Sequence, residues 1–213
     1  MNVSHYEKKS INYGIGRTRL SRILKLAGPV HGKRVLDIGC AKGYLGKIFK
    51  DQGNYVAGVE LSEQAAREAR KNVDAVYSFN LEEKWPEEIS NQKFDVIIMG
   101  EVIEHLFDPE KVLQKIRSIM SAEGSLIITT PNFMTWTNRV RFLFGKFRYE
   151  DQGMFDFGHI RFFTYDFLRE VVRKAGLEIV DEKSIIFPGK LTAILKVWPS
   201  LFAWQFVVKA KIK

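Results

Sequence analysis

The sequence predicts an α/β fold in which a mostly parallel sheet is covered by helices on both faces. Three observations carry this. Short apolar runs alternate with amphipathic stretches along the 213 residues, the pattern of strands joined by crossover helices. The run at 33–38 ends in Asp37-Ile38 and breaks at once into a turn with glycines at 39 and 43, just ahead of a helical pattern that begins at Tyr44. A second apolar run ends in another acid, Glu60, 21 positions after Gly39.

Strand signals fall at 33–38, 54–59, 74–79, 94–99, 124–130, about 177–186 and about 202–211, which makes seven. Helical periodicity covers 43–52, 62–72, 109–121 and 164–175, with Gly176 placed as a C-terminal cap. An amphipathic helix is expected from Gly16 to Ala27, ended by Gly28-Pro29. A Pro-Gly segment and a short apolar helix separate the last two strands, which suits an antiparallel edge pair. Residues 1–15 are polar and irregular, read as a flexible arm, and the whole of 1–213 reads as one domain without repeats.

Residues 131–163 fit the alternation worst. They follow the fifth strand directly and are dense in Phe, Trp and Arg. Ligands of open α/β sheets bind outside the carboxyl ends of the strands, so an insertion here is placed to act as a substrate lid.

Composition is that of a globular protein, 46% hydrophobic and 27% charged. The single cysteine excludes an internal disulfide and suits a reducing, cytoplasmic setting. The N-terminus shows no apolar segment of the secretory type, and the stretch Leu191–Val208 is interrupted by Lys196 and Pro199, making it a poor membrane span. The net charge of +8 is uneven: residues 1–34 carry +7, and Arg139, Arg141, Lys146 and Arg148 form a second acid-free cluster. Solvated helix faces explain such runs most simply; an anionic partner (phospholipid headgroups, a phosphorylated or lipid-linked substrate, or nucleic acid) is the sharper reading.

Glycine allows positive φ and close approach of a ligand to the backbone. An acid just before the first glycine repels a pyrophosphate and suits a cationic ligand. Glu60 lies at the spacing where an acid at the tip of the second strand reaches ribose hydroxyls. A nicotinamide enzyme competes for these features. Gly39, Gly43 and Gly46, however, lack the G-x-G-x-x-G spacing, and the Tyr-x-x-x-Lys pair of short-chain dehydrogenases is missing, since Tyr165 is followed by Arg169.

Four segments, V-L-D-I-G-C-A-K-G, V-A-G-V-E-L-S, F-D-V-I-I-M-G-E-V-I-E-H-L-F-D-P and G-S-L-I-I-T-T-P-N, resemble successive motifs of class I S-adenosylmethionine-dependent methyltransferases, in that family's order. The resemblance covers roughly residues 30–211. It implies a Rossmann-like seven-stranded sheet whose last strand is antiparallel, and S-adenosylmethionine as cofactor. By the same resemblance the Gly39–Gly43 turn, with Asp37 nearby, would hold the methionine end. Glu60 would bind the ribose, Leu61 and Leu81 would pack on adenine, Asn80 would meet its amine, and Gly100 and Glu101 would line the methionine side. Ala41 stands where the family often has glycine, a small intrusion that binding should tolerate. Cys40 sits in the same turn as a neutral packing group.

Methyl transfer needs in-line alignment and removal of the acceptor's proton. Glu101, Glu104 and His105 would share one face if their stretch is helical, and His159 lies in the insertion. In one reading His105 or His159, with Glu104, serves as base or orients the acceptor. In another, Glu101, Glu104, His105 and His159 hold a divalent metal ion, as the E-x-x-E-H pattern does in small-RNA 3′-end and ubiquinone-biosynthesis methyltransferases. A purely structural helix is the third. The segment Gly158-His-Ile-Arg-Phe-Phe-Thr resembles a subgroup linked to cell-envelope glycan and lipid-linked sugar metabolism. The expected activity is O-methylation of a small or lipid-linked acceptor, such as a sugar or a quinol. RNA methylation would explain the charge, yet no RNA-binding module or Asn/Asp-Pro-Pro-aromatic motif is present. A non-catalytic cofactor-binding scaffold is opposed by the intact Asp37, Gly39, Gly43 and Glu60. Peripheral membrane contact, through the basic arm and the aromatics from Trp198 to Trp204, is compatible with catalysis.

Overall fold

The computed structural model describes residues 16–151, 153–186 and 198–213. The expected flexible arm, and most of the segment between the last two strands, lie outside these residues.

The sheet is built from β1 (Arg34–Ile38), β2 (Tyr55–Val59), β3 (Ala75–Tyr77), β4 (Phe94–Gly100), β5 (Met120–Pro131), β6 (Leu177–Glu182), β7 (Ile185–Ile186) and β8 (Ala203–Ile212). Its order is β3-β2-β1-β4-β5-β8-β6, with β7 also paired to β8. Pairing is parallel from β3 to β5, whereas β8 runs antiparallel to β5, β6 and β7. The expected architecture is therefore present, with one refinement. The single strand expected at 177–186 is two, and β8 sits inside the sheet with β6 at its edge.

Alternation along the strands divides the core in two. Leu36, Ile38, Ile97, Met99, Leu126 and Ile128 face one side; Val35, Val96, Ile98 and Ile127 face the other. On the second side pack α1 (Arg17–Ala27), through Ile23 and Leu26, and α2 (Tyr44–Asp51), through Leu45 and Phe49. After β2 comes α3 (Glu63–Ala69), which buries Ala65, Ala66 and Ala69. The first side is covered by α4 (Glu87–Ser90), α5 (Pro109–Ser118) and, past the insertion, α7 (Tyr165–Lys174).

Helix starts follow side-chain chemistry. Ser62 caps α3, Asp108 caps α5 with Pro109 in its first turn, and Thr164 caps α7, each accepting a backbone N–H. Gly176 follows α7 at φ +77°, the left-handed closure expected of a glycine in that place.

Two elements depart from the sequence reading. The insertion contains a regular helix, α6 (Trp136–Leu143), capped by Thr135. Its outer face is apolar, which masked the usual amphipathic signal. The 101–105 stretch is not an α-helix: only Ile103–His105 form a single 3₁₀ turn, and Glu101 precedes it at φ +58°. Last among the helices, α8 (Pro199–Phe202) leads straight into β8.

Candidate active site

Strand order reverses between β1 and β4, and the loops leaving their carboxyl ends diverge to open a crevice. The cavity there has a volume of about 440 Å³, within the usual range for small-molecule sites. Its wall combines Arg19 from α1, Gly39 and Ala41 after β1, Glu60 after β2, Gly100 at the end of β4, Glu101, Val102 and His105 after it, and Met154 and His159 from the insertion. Trp204 and Gln205 of β8 close its far side.

The glycine turn is dictated by space as well as by φ. Gly39 has φ +72°, and a Cβ there would lie 2.5 Å from Val102 Cγ2. A Cβ on Gly46 would lie 2.5 Å from Val73 Cγ1 and 3.1 Å from Val56 Cγ1 of β2, so that glycine lets α2 pack closely on both. Ala41 adopts φ +46°. A glycine here would relieve backbone strain, since left-handed conformation costs an L-residue roughly 1–2 kcal/mol. Cys40 is buried, with its thiol pushed well above the ordinary range by burial and by the carboxylates of Asp37 and Glu60. It is a neutral packing group whose Sγ lies 2.6 Å from where a Cβ on Gly58 would stand.

Glu60 is buried, and backbone amides on both sides orient its carboxylate. Ala41 N–H donates to Oε2 at 2.9 Å and Ser62 N–H to Oε1 at 2.8 Å. Asp37 is 3% exposed, and among the described residues its Oδ2 has no hydrogen-bond partner. Burial first, and the Glu60 carboxylate second, push its pKa up to about 7, opposed by the Gly46 amide. Asp37 does not itself line the 440 Å³ cavity but a smaller adjoining pocket, with Arg19, Gly39, Cys40 and Gly100; a buried carboxylate there suits a cationic ligand better than an anionic one.

Glu101 is the strained member. Thr129 Oγ1 donates to its Oε1 at 3.0 Å, its amide bonds Thr129 O at 3.0 Å, and Arg19 Nη1 lies 3.5 Å from Oε2. A non-glycine residue held at positive φ persists only where its surroundings over-determine it, and such residues cluster at functional sites. Arg19 escaped the sequence reading. It looked like one cation among the eight in residues 1–34, yet it is nearly buried against Glu101 in the cavity wall. The signal lay in periodicity: Arg19 falls on the inward side of α1 with Ile23 and Leu26.

The three acceptor-side residues come together. Thr130 Oγ1 donates to Glu104 Oε2 at 3.1 Å, and His159 Nε2 lies 4.0 Å from Glu104 Oε1. His159 Nδ1 bonds Met154 O at 2.9 Å, and His105 Nδ1 bonds Gly158 O at 2.7 Å. A carbonyl partner at Nδ1 means that Nδ1 carries a proton in each ring, which leaves Nε2 as the nitrogen turned to any acceptor chemistry. The two imidazoles meet edge to face at 4.8 Å. Ligand atoms of Glu104, His105 and His159 lie within 4.8 Å of one another. Glu101 does not join them, because its carboxylate is turned to Thr129 and Arg19. The four-residue divalent site is thus corrected to three donors, two of which already serve the insertion's backbone.

Leu61, Asn80 and Leu81 do not line this cavity. Leu61 is exposed at the β2 tip. Asn80 Oδ1 accepts from Glu82 N–H at 3.1 Å, and Leu81 O accepts from Trp85 Nε1 at 2.7 Å.

Comparison with known proteins identifies the family and the fold. The family described as a methyltransferase domain matches residues 14–182. A ubiquinone biosynthesis O-methyltransferase of Cereibacter sphaeroides is 28% identical over 164 residues, 75% of this chain and 66% of that protein. One of Ruegeria pomeroyi is 30% identical over 166 residues, 75% of this chain and 65% of its own. The chain thus spans just under two thirds of the length of these relatives. Among solved structures, an S-adenosylmethionine-dependent methyltransferase from Mesorhizobium loti superposes with a TM-score of 0.67 at 15% identity, covering 92% of this chain and 98% of that one. A magnesium protoporphyrin IX methyltransferase from Synechocystis with bound S-adenosylhomocysteine gives 0.65 at 14% identity, covering 99% and 94%. At such identities these two speak for the fold.

Proposed function

The chain belongs to the methyltransferase-domain family, within the class I S-adenosylmethionine-dependent superfamily, and from that premise we propose that it O-methylates a small, quinol-like acceptor. One observation carries the proposal: a single cavity joins the Gly39–Glu60 cradle to His105 and to His159 of the insertion. S-adenosylmethionine, when bound, would supply an electrophilic methyl group on its sulfonium for an acceptor oxygen to take. Glu60 would take the ribose hydroxyls on the lone pairs its amide partners leave. Asp37 and the Glu101–Arg19 pair would hold the methionine end, Asp37 facing its ammonium and Arg19 its carboxylate.

On the other side, His105 is the proposed base. Its Nδ1–H is committed to Gly158 O, so Nε2 receives the hydroxyl proton. His159 and Glu104 are positioning residues: they tie the insertion to the β4–β5 loops, and Thr130 fixes the carboxylate. Met154 and Trp204 give the acceptor half an apolar wall suited to a ring. The curated relatives named for ubiquinone biosynthesis favour a quinol over a sugar.

The test is transfer of a labelled methyl group to a panel of catechols, quinols and sugars. Label on an aromatic hydroxyl, lowered by at least about 100-fold in His105→Gln with S-adenosylhomocysteine binding unchanged, is the expected result. Transfer to nitrogen or to nucleic acid, or undiminished turnover in His105→Gln, would overturn it.

A further inference from the structure

The insertion presents a surface that the described residues leave uncovered. α6 turns Asn138 and Phe142 inward, where Asn138 Nδ2 bonds Phe133 O and Phe142 packs on Phe133 and Phe155. Its outward stripe is Trp136, Val140 and Leu143, continued by Phe144 and Phe147. Leu143 is 81% exposed and Phe144 70%. Scattered exposed apolar residues are ordinary; five large ones on one helix face and its continuation are not. Interleaved with them stand Arg139, Arg141, Lys146 and Arg148, and residues 132–149 contain no acid. Arg141 lies 3.6 Å from Glu150, both half-exposed. Trp198, 65% exposed, caps α8, whose Ser200 carbonyl accepts from Asn132 Nδ2 at the base of the insertion.

We propose that this face of the insertion docks the protein on an anionic phospholipid surface. Large apolar side chains flanked by cations match a bilayer interface, where the chains enter the acyl boundary and the cations meet phosphate. Charge argues against a second copy of the chain. A two-fold contact through the same face would set the four cations against their own equivalents. The docked face belongs to the same segment that lines the acceptor half of the cavity with Met154 and His159. Docking would therefore bring the cavity mouth to a membrane-borne acceptor, a point that rests on the function proposed above, although the surface itself does not.

The experiment is co-sedimentation of the full chain with vesicles of phosphatidylcholine alone and of phosphatidylcholine with one third phosphatidylglycerol. Binding is expected on the anionic vesicles and should weaken with salt. Leu143→Asp with Phe144→Asp should lower it at least about tenfold. Lys146→Gln with Arg148→Gln should lower it about 25-fold, roughly fivefold per cation. Equal binding to neutral vesicles, no binding, or indifference to both pairs of substitutions would overturn the proposal. So would a dimer, seen by light scattering, that the Leu143 and Phe144 substitutions dissociate. Calorimetry with S-adenosylhomocysteine on each protein keeps the two readings apart. A chain that binds vesicles but not this nucleoside overturns the methyltransferase reading alone, and a chain that binds the nucleoside but not vesicles overturns the docking surface alone.

Discussion

Replacing Asp37 with asparagine removes a charge that the folded protein holds at a cost. The carboxyl has a reference pKa of 3.8 and is pushed up to about 7 in the fold, chiefly by burial and then by Glu60. The folded state therefore keeps a proton that the unfolded chain has already lost. Stability from this group is complete below pH 4, falls as pH rises toward 7, and levels off above it. About three pH units at roughly 1.4 kcal/mol each give on the order of 4 kcal/mol lost by pH 8. Asp37→Asn has no such loss, so urea midpoints of the two apoproteins should diverge steadily between pH 4 and 7, the variant being favoured at the upper end. A cationic ligand reverses the balance, because its ammonium stabilises the carboxylate. The affinity of wild type for S-adenosylhomocysteine should rise by up to about tenfold per unit from pH 5 to 7 and then flatten. Calorimetry near pH 6 in buffers of different ionisation enthalpy should show a proton released on binding. In the variant, affinity should be lower at pH 8 and nearly independent of pH. A pH-independent stability difference, together with equal affinities at pH 8, would refute both the placement of Asp37 and its titration.

Ala41→Gly removes the left-handed strain at φ +46° while leaving the amide bonded to Glu60. The relief of roughly 1 kcal/mol is offset by the greater freedom of the unfolded chain, so the melting temperature should change little or rise, and cofactor affinity should hold. A clear destabilisation would show that the methyl packs usefully. Asn132→Ala deprives the carbonyls of Ser200 and Ala203 and the amide of Met134 of a partner at a fully buried site. A loss of about 1–3 kcal/mol in urea unfolding is expected, with loosening of α8 read by hydrogen exchange. Arg19→Leu leaves Glu101 without its cation, so S-adenosylhomocysteine should bind at least about tenfold more weakly. Unchanged affinity would remove Arg19 from the site.

Much of the scaffold was legible because it is written in local periodicity. The apolar runs around Val35-Leu36 and Ile97-Ile98 announce a sheet buried on both faces, and helical periodicity places the helices near 62–72, 109–121 and 164–175. The Gly39–Gly43 turn and Glu60 were readable for a similar reason: each is the end of a strand, and strand ends in a parallel sheet converge on one edge. Where the chain reads poorly, contacts are long-range. Arg19 and Glu101 are 82 positions apart, and only the packing of α1 across the sheet makes them an ion pair. Leu61, Asn80 and Leu81 follow strand ends as expected, yet lie outside the cavity wall, with Asn80 and Leu81 bonded to Glu82 and Trp85.

The sequence by itself determined the order of strands and helices, the position of the nucleotide-sized turn and the pair of acids that mark it. Each depends on neighbours within a few residues and on the steric limits of φ. Tertiary structure alone decided that Glu101 turns to Arg19 while Glu104 meets His105 and His159, and that the insertion is a helix with an apolar outer face. The physical reason is the same in each case. A side chain's partner is set by the meeting of elements distant in sequence, and the closing of a loop leaves no periodic trace along the chain.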